Sequence, residues 1–118
     1  LMLEAEDLKI TMIEGDYGIV LPITISAEQE LTPSDKFSIN IYKELDGELL
    51  VSKEYSNLTD NTIEFKLTLE ESLKLPVGNY IYDIDWYQDE SFLANIVCRK
   101  KFIVLNKAGK VGTNGDTD

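Results

Sequence analysis

The chain has 118 residues, of which 43% are hydrophobic, and its 22 acidic and 11 basic residues give a formal net charge of −11. This length and hydrophobic content are those of one globular domain that buries about two-thirds of its unfolded surface. The negative charge repels phosphate groups, so nucleic acid and anionic membranes are disfavoured as partners.

Two residue types that are absent or rare exclude further kinds of site. The chain contains no His and a single Cys, Cys98. His-dependent catalytic triads, His-ligated metals and an internal disulfide are therefore excluded. We expect Cys98 to be a buried small hydrophobe, because it falls on the inward phase of its strand, and the lack of a disulfide favours synthesis in a reducing compartment. The acidic N-terminus and the lack of a long apolar run predict no signal peptide and no transmembrane segment.

Alternating apolar residues predict three strands in the first part of the chain. They cover residues 8–13, 19–26 and 36–43, each with one apolar face. A hairpin follows at Asp46-Gly47. A loop of residues 45–47 with Gly47 in the left-handed conformation would place Ile41 opposite Val51 on one face, whereas a two-residue loop would mix the faces. The sequence therefore predicts a three-residue loop with a bulge.

A corner and a long strand dominate the second half. The capping pattern Thr68-x-x-Glu71 predicts one or two helical turns after a fifth strand at residues 63–67. Gly78 then precedes Tyr80, which begins a strand whose inward positions run to Trp86. A Tyr placed in this way is typical of the tyrosine corner of immunoglobulin-like domains, so Gly78, Tyr80 and Trp86 are predicted as structural residues.

The last hairpin is predicted by the same parity argument. A three-residue loop at 88–90 would place Phe92 opposite Trp86 on the core face. The final strand then runs to Leu105, and Arg99-Lys100-Lys101 interrupts its alternation, which predicts a bulge or a departure from the core at the rim of the sandwich.

Together these elements predict an all-β fold. We expect an immunoglobulin-like Greek-key β-sandwich of about seven antiparallel strands over residues 1–105, with one short helical turn before the sixth strand. Residues 106–118 are rich in Gly, Asn and Asp and are interpreted as a flexible tail or linker.

Clustered carboxylates are the first candidate site. Asp83 and Asp85 share one strand face, and Asp89 and Glu90 follow in the next loop. Several carboxylate oxygens could bind calcium, but a solvated face paired with Lys or Asn is the better interpretation, because no calcium-loop spacing is present. A glycosidase pair would need a cleft, which a small sandwich does not evidently provide. No catalytic, cofactor-binding or metal-ligating residue is assigned.

Aromatic and basic side chains give the second candidate site. Tyr42 and Tyr87 fall on the outward phase, where they could contact a protein or stack on sugar rings. Arg99, Lys100 and Lys101 form the only basic run. Such a run can guard a sheet edge against aggregation, or it can pair with the acidic body of a neighbouring copy. These five residues form the candidate interaction surface. If the basic run pairs with the acidic surface of another copy, the chain would form a homo-oligomer.

Several segments resemble a known family. The segments are Glu14-Gly15-Asp16, Leu31-Thr32-Pro33-Ser34-Asp35 followed by Phe37-x-Ile39-x-Ile41, and Thr68-x-x-Glu71-x-x-x-Leu75-x-x-Gly78-x-Tyr80-x-Tyr82-Asp83-Ile84. Over about residues 8–105 the pattern resembles the N-terminal β-sandwich domain of phage baseplate upper proteins, found in phages and prophages of Gram-positive bacteria.

The resemblance implies a non-enzymatic structural module of a phage tail or baseplate, located in the virion after synthesis in the bacterial cytoplasm. Its partners would be other virion proteins, whose receptor-binding components it would anchor or space. The alternative is a carbohydrate-binding or adhesin-like module of a bacterial surface protein.

Overall fold

Eight strands and one short helix form the regular structure of residues 3–5 and 9–106, which are the residues that the computed structural model describes. The elements are β1 (Leu3–Ala5), β2 (Ile10–Ile13), β3 (Leu21–Ala27), β4 (Asp35–Lys43), β5 (Leu49–Ser56), β6 (Thr62–Phe65), α1 (Leu69–Leu73), β7 (Gly78–Gln88) and β8 (Ser91–Leu105). The all-β prediction is thus confirmed. The tail predicted from residue 106 lies, from residue 107 on, outside the described residues.

The strands form two sheets. One has the order β1-β3-β6, and the other has the order β2-β8-β7-β4-β5. β2 runs parallel to β8, with Ile10 beside Phe102, whereas the other pairs of described strands are antiparallel. This parallel pair departs from the expected antiparallel arrangement. It is possible because most of the chain lies between β2 and β8, so no hairpin dictates their relative direction.

Both sheets contribute one face to a shared hydrophobic core. Phe65 of the three-stranded sheet packs edge-on against Phe102 of the five-stranded sheet, with ring centroids 6.3 Å apart. Tyr82 and Trp86 are buried as predicted, at 2% and 6% exposure. The core residues are Ile10, Ile23, Ile25, Phe37, Ile39, Ile41, Val51, Ile63, Phe65, Leu67, Leu75, Tyr80, Tyr82, Ile84, Trp86, Val97, Phe102 and Val104.

The first hairpin has the predicted register but a different loop. Ile41 lies opposite Val51, as the parity argument required. The loop spans residues 44–47, closed by a hydrogen bond of 2.8 Å from the Lys43 amide to the Glu48 carbonyl, and a register shift leaves Leu50 as an extra residue in β5. The prediction of a three-residue loop was therefore wrong. A loop with an even number of residues would by itself turn the apolar side chains of β5 to the outside, but the extra residue Leu50 turns them back toward the core.

The last hairpin has a tighter turn than predicted. Gln88 pairs with Ser91, which leaves a two-residue turn at 89–90, and Trp86 faces Ala94 instead of Phe92. The predicted pairing of Phe92 with Trp86 was wrong because the turn is one residue shorter and a register shift between Trp86 and Tyr87 adds a residue to β8, so Phe92 faces Tyr87. Two further register shifts lie between Tyr82 and Asp85.

The same shifts correct the prediction for Cys98. Val97, at 1% exposure, occupies the core position, while Cys98 is exposed. The bulge predicted from the basic run is present: Arg99 adopts a φ of +54°, and the register shifts beside it. An added residue in one strand moves every following side chain to the other face. The core-facing positions of β8 could therefore not be predicted by continuing the alternation from the start of the strand.

The helix α1 has the capping box that the sequence predicted. Thr68 Oγ1 accepts from the Glu71 amide at 3.1 Å, and Glu71 Oε1 accepts from the Thr68 amide at 2.8 Å. Lys53 of β5 donates to the same Glu71 oxygen at 2.8 Å, which ties the helix to the sheet. Within the described ranges no helix is long and apolar enough to cross a membrane.

Candidate interaction surface on the five-stranded sheet

Strand alternation creates a polar outer face on the five-stranded sheet. Because Phe37, Ile39 and Ile41 point into the core, the residues between them in β4 point outward, and the same holds for alternate residues of β7. We call this surface the outer face; it comprises Lys36, Ser38, Asn40 and Tyr42 of β4, Ser52 and Glu54 of β5, Ile81, Asp83, Asp85 and Tyr87 of β7, and Phe92, Asn95 and Lys101 of β8.

Asn40 is the centre of a hydrogen-bond network on this face. Its Oδ1 accepts from Ser38 Oγ at 2.9 Å and from Ser52 Oγ at 2.7 Å. Its Nδ2 donates to Asp83 Oδ1 at 2.8 Å and to Asp85 Oδ2 at 3.2 Å. The amide is only 7% exposed, and all four of its hydrogen-bonding positions are used. The network therefore fixes side chains from three adjacent strands.

Two carboxylates lie side by side in this network. Asp85 Oδ1 accepts from Asn95 Nδ2 at 2.7 Å, which extends the network to β8. Burial raises the pKa of Asp83, and the nearby charge of Asp85 adds to the rise, while hydrogen bonds from Asn40 and Tyr42 and the charge of Arg99 oppose it. Negative charge is thus held on a partly desolvated surface.

Aromatic rings flank the carboxylates. Tyr42 is half-buried, and burial together with the charge of Asp83 raises the pKa of its hydroxyl. Tyr87 and Phe92 meet edge-to-face with ring centroids 5.7 Å apart and an interplanar angle of 74°. Phe92 is 56% exposed, so part of an aromatic pair is open to a partner.

The structure brings three of the five predicted interaction residues, Tyr42, Tyr87 and Lys101, to the outer face. Tyr42 and Lys101 both lie beside Ile81, and Tyr87 lies beside Phe92. Arg99 is near enough to Asp83 to affect its pKa. Lys100, in contrast, lies opposite the core residue Tyr82 and so falls on the inward phase of β8.

The predicted corner residues occupy two separate places. The hydroxyl of Tyr80 donates to the carbonyl oxygen of Pro76, four residues earlier, and the ring is 7% exposed. Gly78 begins β7 beside them, and a Cβ there would lie 3.9 Å from the Tyr80 ring, which is ordinary contact. Trp86 lies near the other end of β7 and does not take part in the corner.

Trp86 instead bonds a buried carboxylate. Its Nε1 donates to Asp35 Oδ1 at 2.9 Å, and Gln88 Nε2 donates to the same oxygen at 3.2 Å. The Thr32 amide donates to Asp35 Oδ2 at 2.9 Å. Burial by itself would raise the pKa of Asp35, but these hydrogen bonds outweigh it and hold the pKa below its usual range. Asp35 is thus a structural carboxylate at the start of β4.

The four carboxylates considered for calcium do not converge. Asp83 and Asp85 are bonded to asparagine side chains, and Glu90 lies 3.3 Å from the Lys36 ammonium. Among residues 9–106, whose side chains are described, no three His, Cys, Asp or Glu residues are grouped as metal ligands. The arrangement is that of a hydrogen-bonded surface.

Sequence reasoning missed Asn40, Ser52 and Asn95. A signal was present, since Asn is depleted in strands and Asn40 lies on the outward phase of a strand with an apolar inner face. An Asn in such a position indicates a cross-strand hydrogen bond, but its partners depend on a register that only the fold supplies.

Comparison with protein-family models, curated proteins and solved structures gave no match.

Proposed function

We propose that the chain is a non-enzymatic protein-binding module with an immunoglobulin-like Greek-key fold, built into a phage or prophage tail or baseplate, and that the outer face is its docking surface. The strand orders β1-β3-β6 and β2-β8-β7-β4-β5 support this fold assignment. The hydrogen bond from Tyr80 to Pro76 also supports it, because a tyrosine corner is a recurrent feature of such sandwiches.

The Asn40 network is the observation that carries the proposal. It holds Ser38, Ser52, Asp83 and Asp85 in one arrangement before any partner arrives. A surface ordered in advance loses little conformational entropy on binding, so its polar groups can select a partner at low cost in affinity. The network lies on an open strand surface, which suits a protein partner.

The virion role is supported by the resemblance to baseplate upper proteins and by the charge of the chain. A net charge of −11 favours solubility and disfavours binding to the packaged nucleic acid.

One observation favours carbohydrate binding as the second candidate. Tyr87 and the exposed ring of Phe92 lie next to Asp85 and Asn95 on the same face. Aromatic rings stack on sugar faces, while carboxylate and amide groups bind hydroxyl groups. A module of a surface protein that binds glycans would need these groups together.

A charge-reversal experiment distinguishes the docking surface from general electrostatics. The purified chain is tested by biolayer interferometry against the proteins encoded beside its gene, with Asp85→Lys as the outer-face variant and Glu64→Lys as the control. Glu64 is exposed on β6, in the other sheet. Each variant replaces a carboxylate with an ammonium group, so both change the net charge by the same amount. We expect Asp85→Lys to weaken binding at least tenfold and Glu64→Lys to have little effect.

Two results contradict the proposal. Equal weakening by both variants would mean that the outer face has no special role. Binding on a glycan array that is lost in Tyr87→Ala and Phe92→Ala, with no binding to the neighbouring proteins, would favour the carbohydrate module.

A further inference from the structure

Three connecting segments meet at the end of the sandwich that holds the tyrosine corner. The Gly18 amide donates to the Leu67 carbonyl at 2.9 Å, which places the loop between β2 and β3 beside the entry to α1. Burial raises the pKa of the Tyr80 hydroxyl, and the charge of Glu14, at the start of that loop, is near enough to add to the rise. Residues 43–46 of the first hairpin form a groove of about 250 Å³ with the start of β7, which contains Tyr80.

Large apolar side chains are exposed on all three segments. Leu45, in the hairpin loop, is 97% exposed. In α1 the Glu71 side chain turns to Lys53 of β5, whereas Leu69 and Leu73 are 51% and 73% exposed. We call this group of exposed apolar side chains the corner end; it comprises Tyr17, Ile19, Val20, Leu45, Leu69 and Leu73. Exposed apolar side chains gathered in one region mark a contact surface.

The charge around the corner end is mainly negative. In residues 14–20, 43–48 and 66–77 the exposed acidic residues are Glu14, Glu44, Asp46, Glu48 and Glu70, and the exposed basic residues are Lys43, Lys66 and Lys74. Lys43 pairs with Glu48 at 3.6 Å, so acidic residues outnumber basic ones among the rest. A partner with positive charge therefore fits this end. A second copy does not, because pairing of two corner ends would bring the same carboxylates together.

We propose that the corner end is a second docking surface, distinct from the outer face, and that it binds an amphipathic segment of a partner protein with apolar side chains along one side and Lys or Arg beside them. The apolar side chains of the partner cover Leu69 and Leu73, and its basic groups face Glu14, Glu44 and Glu70. The groove beside Leu45 has room for a further side chain of the partner. A domain with one docking surface on a face and another at an end can join two components.

Two model peptides test the chemistry of the partner. Both are fluorescein-labelled amphipathic helices with the same leucine pattern, and one has Lys whereas the other has Glu at the polar positions. Fluorescence anisotropy is measured during titration with the purified chain. We expect the Lys peptide to bind and the Glu peptide not to bind. Equal binding of both peptides, or no binding of the Lys peptide, would overturn the proposal.

Paired apolar variants separate docking at the corner end from general attraction to an acidic chain. Leu69→Ser combined with Leu73→Ser keeps the net charge and should weaken binding of the Lys peptide about tenfold, because less apolar surface is buried in the complex. Phe92→Ser combined with Leu93→Ser removes two exposed apolar side chains at the start of β8 and should have little effect. Circular dichroism checks that both variants fold. Equal affinities of the two variants would overturn the proposal.

Charge reversal tests the role of the carboxylates. Glu70→Lys should weaken binding of the Lys peptide about threefold, because it places a positive charge against the basic groups of the peptide. Glu28→Lys, in the exposed loop between β3 and β4, changes the net charge by the same amount and should have a smaller effect. Equal weakening by the two variants would mean that only the net charge attracts the peptide, which would overturn the proposal.

Amide chemical shifts locate the bound peptide without any substitution. In heteronuclear NMR spectra of the isotope-labelled chain we expect the Lys peptide to shift signals of residues 14–20, 43–48 and 66–77. Shifts centred on Asp83 and Asp85 would place the peptide on the outer face and overturn the proposal. So would a dimer of the chain alone in sedimentation velocity that the paired leucine variant abolishes, because the corner end would then bind a second copy. The binding assay for the outer face can fail without affecting these results.

Discussion

At the scale of single residues, this fold depends on buried polar atoms that have their full set of partners. Asn40 uses both lone pairs and both amide hydrogens, and Asp35 accepts from Thr32, Trp86 and Gln88. A buried group of this kind contributes little while satisfied, but leaving its partner unsatisfied destabilises the protein. Conservative substitutions at such positions are therefore informative.

The Tyr80 hydroxyl provides the sharpest test. Tyr80→Phe keeps the ring against Phe102 and removes only the donor to the Pro76 carbonyl. We expect a loss of about 1 to 3 kcal/mol in the free energy of unfolding, because a partly buried carbonyl loses its partner. Tyr17→Phe is the matched control, since Tyr17 is 51% exposed. A urea titration that gives the same stability for Tyr80→Phe as for the unmodified chain would contradict a structural role for the corner.

At the scale of elements, the inward phase of β7 was predictable and that of β8 was not. From Tyr82 to Trp86 buried and half-buried residues alternate strictly, so sequence alone identified the core face. In β8 the shifts move Val97 to the core and Cys98 to solvent, and a bulge has no strong sequence signal apart from the disturbed alternation at Arg99.

The outer face was only half predictable for a related reason. Tyr42 and Tyr87 were identified by phase, but the bonds of Asn40 depend on which strands become neighbours.

The helix α1 was predictable because its signal is local. Thr68→Ala removes the side chain that accepts from the Glu71 amide, and we expect a loss of about 1 kcal/mol in the free energy of unfolding. Thr24→Ala on the exposed face of β3 is a control for loss of a threonine outside the cap. Thermal unfolding followed by circular dichroism measures both variants, and equal melting temperatures would mean that the cap does not stabilise the domain.

At the scale of the whole molecule, the fold shifts the pKa values of its partly buried carboxyl groups in two opposite directions. Burial raises the pKa of Asp35, but its hydrogen bonds lower it by more. At Glu71 burial is likewise outweighed, here by the contact with Lys53 and by the hydrogen bonds of the Thr68 cap. The pKa of each carboxyl group is therefore lowered. At Asp83 burial and the charge of Asp85 win, and the pKa is raised. The first two stabilise the fold when ionised, whereas the ionisation of Asp83 opposes folding, so the stability of the domain at acid pH depends on where each carboxylate lies.

The buried carboxylate of Asp35 allows this pH dependence to be tested. A group with a lowered folded pKa stabilises the native state above its unfolded pKa of about 3.9, and this stabilisation is lost as the pH falls through the folded pKa. Asp35→Asn removes the charge and places an amide beside donors of Thr32 and Gln88, so we expect a clear loss of stability at pH 7. The difference between the two proteins should begin to narrow as the pH falls below about 4, because the unfolded state then takes up a proton at Asp35 that the folded state, with its lowered pKa, does not yet bind. Asp60→Asn, on an exposed loop residue, should show no such change. Urea titrations from pH 7 to pH 3 measure the difference, and a constant gap over that range would mean that the charge of Asp35 does not stabilise the junction between β4 and β7.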